Sequence, residues 1–196
     1  MGGFASIGEC MIELSGNEGD QWRMGFAGDT LNTAWYMRAL TDKSYPVEYV
    51  TAFGEDSFSQ KQRVFLTSNG IGIAHSPVIG GLHPGLYAIT LDGAERSFTY
   101  WRSNAAARRL ACDRDALEKS LAGRDMIYFS GITLAIILPE HRATFFRYPS
   151  PMPRSRIANR FRSQFPATTL AGPQGRTGNH QQCDGHRRYC APHLPR

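Results

Sequence analysis

Met24-Gly25-Phe26-Ala27-Gly28-Asp29-Thr30-Leu31-Asn32-Thr33-Ala34 passes from small residues into a helical pattern within a few positions. Asp29 or Thr30 can cap the helix start. Leu31, Ala34 and Trp35 then fall on one face of a helix running to about Leu40. On the amino side, Phe4-Ala5-Ser6-Ile7-Gly8 reads as a strand of small and apolar residues, and 11–14 continue extended with Glu9 and Glu13 nearby. Residues 16–19 read as a turn. On the carboxyl side, 47–53 predict a strand ending at Gly54, and 56–69 a helix stopped by Gly70. Residues 113–121 predict another helix and 125–131 a buried strand ending in glycine. A last helix starts at Pro139, a residue suited to a first turn. Strands alternating with helices predict an α/β fold with a mainly parallel sheet. Short strands at 73–78, 85–91 and 96–101, with an Asp92-Gly93 turn between the last two, predict a small extra sheet serving as a lid.

The 196 residues are 41% hydrophobic and 20% charged, which suits a folded domain rather than a wholly disordered chain. No apolar run reaches the roughly 18 residues of a membrane helix. The N-terminus lacks the basic-then-apolar order of a secretory signal. Cys10, Cys112, Cys183 and Cys190 are irregularly spaced and suggest no disulfide framework, so a cytoplasmic setting is expected. The net charge of +5 hides a split. Residues 1–146 hold thirteen basic and sixteen acidic side chains, whereas 147–196 hold nine arginines, one acid (Asp184) and seven of the eleven prolines. Helical periodicity ends at Phe146, because Tyr148-Pro149-Ser150-Pro151-Met152-Pro153 cannot continue a helix. Two regions follow: a folded domain over 1–146 and a basic, Pro/Arg-rich tail over 147–196, expected to be disordered.

In the tail, His180, Cys183, His186, Cys190 and His193 are zinc-type ligands, but they match no finger spacing and have little apolar sequence around them, so no metal site is expected. The arginines could contact phosphates, yet aromatics for base stacking are few, so nucleic acid is an unfavoured partner. There is no G-x-x-x-x-G-K-[ST] loop, and Gly70-Ile71-Gly72 lacks a third glycine. At Gly28 the missing side chain lets a ligand approach the backbone, the helix start favours anions or hydroxyls, and Asn32 can donate and accept. An ordinary capped turn would use the same residues. Tyr87, Tyr100, Trp101 and Arg102 fall on the extra strands, where arginine offers a planar fork for a carboxylate and tyrosine hydroxyls suit polyols. Cross-strand aromatic pairing in a plain hairpin would also place them there.

Six segments in order resemble the ribokinase-like (PfkB) carbohydrate kinases: Ile7-Gly8-Glu9-Cys10-Met11-Ile12-Glu13-Leu14; Ala27 to Ala34; Thr51-Ala52-Phe53-Gly54-Glu55-Asp56; Gly85-Leu86-Tyr87; Phe98-Thr99-Tyr100-Trp101-Arg102; and Tyr128-Phe129-Ser130-Gly131-Ile132-Thr133-Leu134. The resemblance covers about 4–146 and is strongest to the branch acting on 2-keto-3-deoxygluconate. It implies a three-layer α/β sandwich with a small β lid, here truncated. It also implies ATP-dependent phosphorylation of the sugar acid at its terminal hydroxyl, with ATP and Mg²⁺ as cofactors. Gly28, Asp29, Thr30 and Asn32 would line the sugar pocket, Tyr87, Tyr100 and Arg102 would sit on the lid, and Arg102 would meet the carboxylate. Members often form homo-oligomers through the lid. Ala27 stands where the family usually has the first of two glycines. The family's late Gly-Ala-Gly-Asp motif, which carries the general base and an anion-binding turn, has no match in 147–196. No catalytic residue is therefore assigned, the ATP site is expected to be missing, and this chain is expected to be inactive. The alternative class is a non-enzymatic binding protein whose basic tail contacts nucleic acid.

The tail also has a reading as a shifted frame of the kinase gene. Residues 159–195 back-translate, with allowed codons, to DNA whose next frame contains Asp-Arg-Asn-Phe-Arg-Pro-Arg-Leu-Trp and, later, Ala-Asp-Ile, which resemble the family's next segments in their expected place. Sequencing the coding DNA is expected to find a single-base change near the codon of Phe146 that restores this frame. A gene with no such position contradicts the reading.

Overall fold

The structure, a computed structural model, describes residues 2–18, 21–92 and 95–147. The expected disorder of the tail, its candidate zinc ligands and the second residue of the Asp92-Gly93 turn lie outside the described residues. The chain runs β1 (Phe4–Ile7), β2 (Met11–Glu18), β3 (Gln21–Ala27), α1 (Asp29–Leu40), β4 (Val47–Val50), α2 (Ser57–Ser68), β5 (Leu86–Asp92), β6 (Glu95–Trp101), a 3₁₀ turn at Ala106–Arg109, α3 (Arg114–Leu121), β7 (Met126–Phe129), α4 (Gly131–Ile136) and α5 (Pro139–Phe146).

A strand covered on both faces has no polar side to show, and every residue of β1 and β4 is buried. β1 pairs in parallel with β4 on one side and with β7 on the other. Alternate residues feed two cores. Ala5, Ile7 and Val50 pack with Leu110, Leu117, Leu121, Ile137 and Phe145 on one face. Phe4, Val47 and Tyr49 pack with Leu31, Ala34, Leu66 and Ile71 on the other. Helices therefore cover both faces, and the α/β three-layer expectation is met. Full burial of side chains such as Phe4, Leu31 and Leu66 contributes about 1.5–3 kcal/mol each. A second sheet has the order β3-β2-β5-β6, with β2 and β5 parallel and the outer pairs antiparallel.

Several local expectations need correction. The strand expected over 47–53 ends at Val50, and 73–78 form no strand, making only isolated bridges such as Phe53 with Val78. Side chains replace the ladder there: Glu48 Oε1 accepts the Ala74 N–H at 2.9 Å, and Ser76 Oγ accepts the Thr51 N–H at 3.2 Å. β3 lies outside the expected strands, although Trp22, Met24 and Phe26 alternate along it. The strand expected over 125–131 spans Met126–Phe129, and the chain after Ser130 is helical, since Ser130 and Thr133 form a reciprocal capping box. The cap of α1 is neither Asp29 nor Thr30 but Gly28, which makes no side-chain cap bond. Asp56 and Asp113 do cap α2 and α3.

Thr30 joins the first helix to the sheet. Its buried hydroxyl is 3.0 Å from the Tyr49 hydroxyl, and its carbonyl accepts Ser6 Oγ–H at 2.7 Å. Thr30→Val leaves the Tyr49 hydroxyl buried without that partner and is expected to cost about 1–3 kcal/mol in urea unfolding. Adding Tyr49→Phe is expected to recover part of the loss, giving a positive coupling in the double-mutant cycle.

Candidate functional site

In open parallel sheets, ligands bind beyond the carboxyl ends of the strands, where the chain switches from one side of the starting strand to the other. Here β1 is that strand, flanked by β4 and β7. Just past its end the chain leaves for the second sheet through Gly8-Glu9-Cys10. It returns through Ala27-Gly28 into α1. It enters the sheet again at Gly85 and leaves it at Arg102. Four passages between the two sheets thus meet around one side chain, Glu9.

Glu9 is buried to 3% exposure. Its Oε2 accepts a charge-assisted hydrogen bond from Arg102 Nη2, while Oε1 has no partner among the described residues. The backbones around it are close. A Cβ on Gly28 would overlap the Glu9 carbonyl, and one on Gly85 would overlap Oε1. Glycine is needed at both places for this proximity. Burial raises the Glu9 carboxyl above the usual carboxylate range. Arg102 and, less strongly, Arg108 pull it back down, and Asp29 adds to the rise.

The lid residues follow from register. Gly25, Glu13, Tyr87 and Tyr100 form one rung across β3, β2, β5 and β6. The Tyr87 hydroxyl donates to Glu13, and burial followed by this carboxylate pushes the phenol well above its ordinary value. Tyr87 and Tyr100 have ring centroids 5.7 Å apart, and the Arg102 guanidinium lies 5.8 Å from the Tyr100 ring. Tyr100 and Trp101 are exposed, while the Arg102 side chain is 27% exposed.

The sequence-expected residues divide accordingly. Gly28, Tyr87, Tyr100 and Arg102 come together around the junction. Asp29 and Asn32 are exposed on the first turn of α1, with Asp29 near enough to Glu9 to act on its charge. Thr30 points into the core toward Tyr49 and offers its hydroxyl to no pocket. Arg102 and Tyr87 are both already held by glutamates. The sequence pattern marks those glutamates without giving them a role. The signal available was two acids, Glu9 and Glu13, inside an apolar stretch. Gly85 and Arg108 carried no comparable signal.

The chain belongs to the pfkB family of carbohydrate kinases, whose profile matches residues 1–146. It is similar to proteins named 2-dehydro-3-deoxygluconokinase. The one from Dickeya dadantii is 45% identical over 143 residues, covering 71% of this chain and 46% of the relative. That from Escherichia coli K12 is 43% identical over 142 residues, covering 70% and 46%. The solved 2-dehydro-3-deoxygluconokinase of Thermotoga maritima superposes with a TM-score of 0.64 at 20% identity, over 76% of this chain and 46% of that one. The chain spans about half the length of the curated relatives it matches. Among the described residues no helix is long and apolar enough to cross a membrane.

Breaking the Glu9–Arg102 pair tests the junction. Arg102→Met strands a buried carboxyl and is expected to cost about 3 kcal/mol, the low end for a buried pair because Arg102 is partly exposed. Its sign with pH is set by linkage. Folded Glu9 then holds a proton that the unfolded chain has released, so stability falls as pH rises above the ordinary carboxylate range. Urea unfolding at acidic and neutral pH reads the effect, and Glu9→Gln in the same background is expected to remove the pH dependence.

Proposed function

We propose that residues 1–146 are the sugar-binding half of a kinase that phosphorylates 2-keto-3-deoxygluconate at its terminal hydroxyl with ATP. The observation that carries this is the placement of Arg102. A guanidinium sits at the junction beyond β1, oriented by Glu9 beneath it and the Tyr100 ring beside it. Arginine presents five donors in a fork, so the edge not used by Glu9 is free to take the carboxylate of a sugar acid. Asp29 and Asn32, exposed on the first turn of α1, supply an acceptor and a mixed donor–acceptor for hydroxyls. Gly28 keeps the α1 start close to the Glu9 backbone, and the Tyr87–Tyr100 pair walls the lid side. The names of the relatives support the same substrate.

The nucleotide and Mg²⁺ belong elsewhere in such a kinase. Among the described residues no three His, Cys, Asp or Glu side chains gather as a metal cage, and the sequence has no phosphate loop of the G-x-x-x-x-G-K-[ST] type. No phosphoryl-transfer step is assigned to the described residues. A Pyrococcus horikoshii sugar kinase solved in complex with ATP has this fold, with a TM-score of 0.57 at 22% identity, and this chain covers 47% of it. The 196-residue chain holds the sugar and does not turn it over, in a cytoplasmic setting. Exposed Trp22, Met24, Leu91, Phe98 and Trp101 on the second sheet support self-association through the lid.

Two measurements on the purified chain test this. Titration calorimetry is expected to show binding of 2-keto-3-deoxygluconate, weakened about tenfold or more by Arg102→Met through loss of a charged hydrogen bond. A coupled assay with ATP is expected to show no turnover. Measurable turnover overturns the inactive reading, and absence of sugar-acid binding overturns the substrate.

A further inference from the structure

Glu9 orients Arg102 without touching the sugar, and it is the most constrained carboxylate among the described residues. It is buried, one oxygen is committed to Arg102, and the other is enclosed against Gly85 with nothing to bond. A buried carboxylate with an unmet oxygen is costly unless its charge is answered, and the answering charge here is the one the substrate needs. We propose that Glu9 is a placeholder carboxylate: it occupies Arg102 while the pocket is empty and takes up a proton when the carboxylate of a sugar acid arrives on the same guanidinium. The inference rests on the sugar-acid reading of the pocket and deepens it by naming Glu9 as the residue that sets the charge requirement.

The charge balance is simple. The empty site holds Glu9⁻ and Arg102⁺. A monoanionic ligand makes two carboxylates on one guanidinium, and like charges that close cannot both stay ionised at little cost. One proton moves from solvent to the Glu9 carboxyl, and the ligand carboxylate becomes the counter-ion. The other groups around Glu9 are Arg108 from the 3₁₀ turn, Asp29 from α1, Cys10 beside it in the chain and Tyr49 from β4. Burial already favours the protonated form of Glu9, so the added negative charge acts on a group poised to accept. Cys10 and Tyr49 are held neutral by burial and stay silent. An uncharged ligand of the same shape draws no proton. Glu9 is thus a positioning residue for Arg102 that also distinguishes acids from neutral sugars.

The test uses the full chain and titration calorimetry with 2-keto-3-deoxygluconate and its carboxamide. In buffers of different ionisation enthalpy, the acid is expected to bind with net proton uptake and the carboxamide with none. Glu9→Gln mimics the protonated side chain at nearly the same volume. It is expected to bind the acid about tenfold more tightly near neutral pH, from removal of one nearby charge, with proton uptake abolished and the ratio of acid to carboxamide affinity raised. Acid binding by the unaltered chain without proton uptake, or unchanged acid affinity in Glu9→Gln, overturns the proposal while leaving the sugar-acid reading standing. If the unaltered chain binds neither ligand, the sugar-acid reading fails and the proposal fails with it. The proton-uptake measurement needs no variant, so it decides the proposal even where the Glu9→Gln chain misfolds.

Discussion

A carboxylate placed where four chain passages cross has to be matched, and the Glu9–Arg102 pair is that match. Glu9 leaves the end of β1 and Arg102 leaves the end of β6, so their bond ties the parallel sheet to the lid sheet. Close approach is built in by the absence of side chains at Gly28 and Gly85. Larger residues there would push the passages apart and open the buried pair to water. The same pairing fixes where the arginine points.

The two sheets are held by different physics. In the β4-β1-β7 sheet, β1 and β4 are buried along their whole length and β7 is partly exposed; stability comes from apolar layers that meet the sheet from α1 and α2 on one side and from α3 and α5 on the other. Polar links such as Thr30 with Tyr49, or Arg124 with Glu48 at 3.4 Å, connect elements across that body. The β3-β2-β5-β6 sheet leaves much of its aromatic surface exposed, including Phe98, Tyr100 and Trp101. It is coupled to the body chiefly through the junction at Glu9, together with Gln62 Nε2 of α2, which donates to the Cys10 carbonyl at 2.7 Å.

Much of the architecture was legible because burial writes itself into pattern. The first strand of small and apolar residues, the aspartates at 56 and 113 before helical runs, and Pro139 at a first turn each specify their element locally. The failures have equally local causes. At 73–78 the Glu48 side chain takes the Ala74 N–H and the Ser76 side chain takes the Thr51 N–H, so an extended-looking stretch never joins a ladder. At 131–136 an apolar run shows no period of its own, and a capping box decides for helix. At Gly28 proximity to Glu9 displaced the expected side-chain cap.

The sequence alone determined the α/β order, the β5–β6 hairpin and the residue types that gather at the junction, because periodicity, caps and turn residues act over a few positions. Only the tertiary structure decided that Thr30 faces the core, that Tyr87 answers to Glu13 and that Arg102 answers to Glu9. Those choices depend on strand register and on chain passages 74 and 93 residues apart in sequence, a distance over which no local pattern carries information.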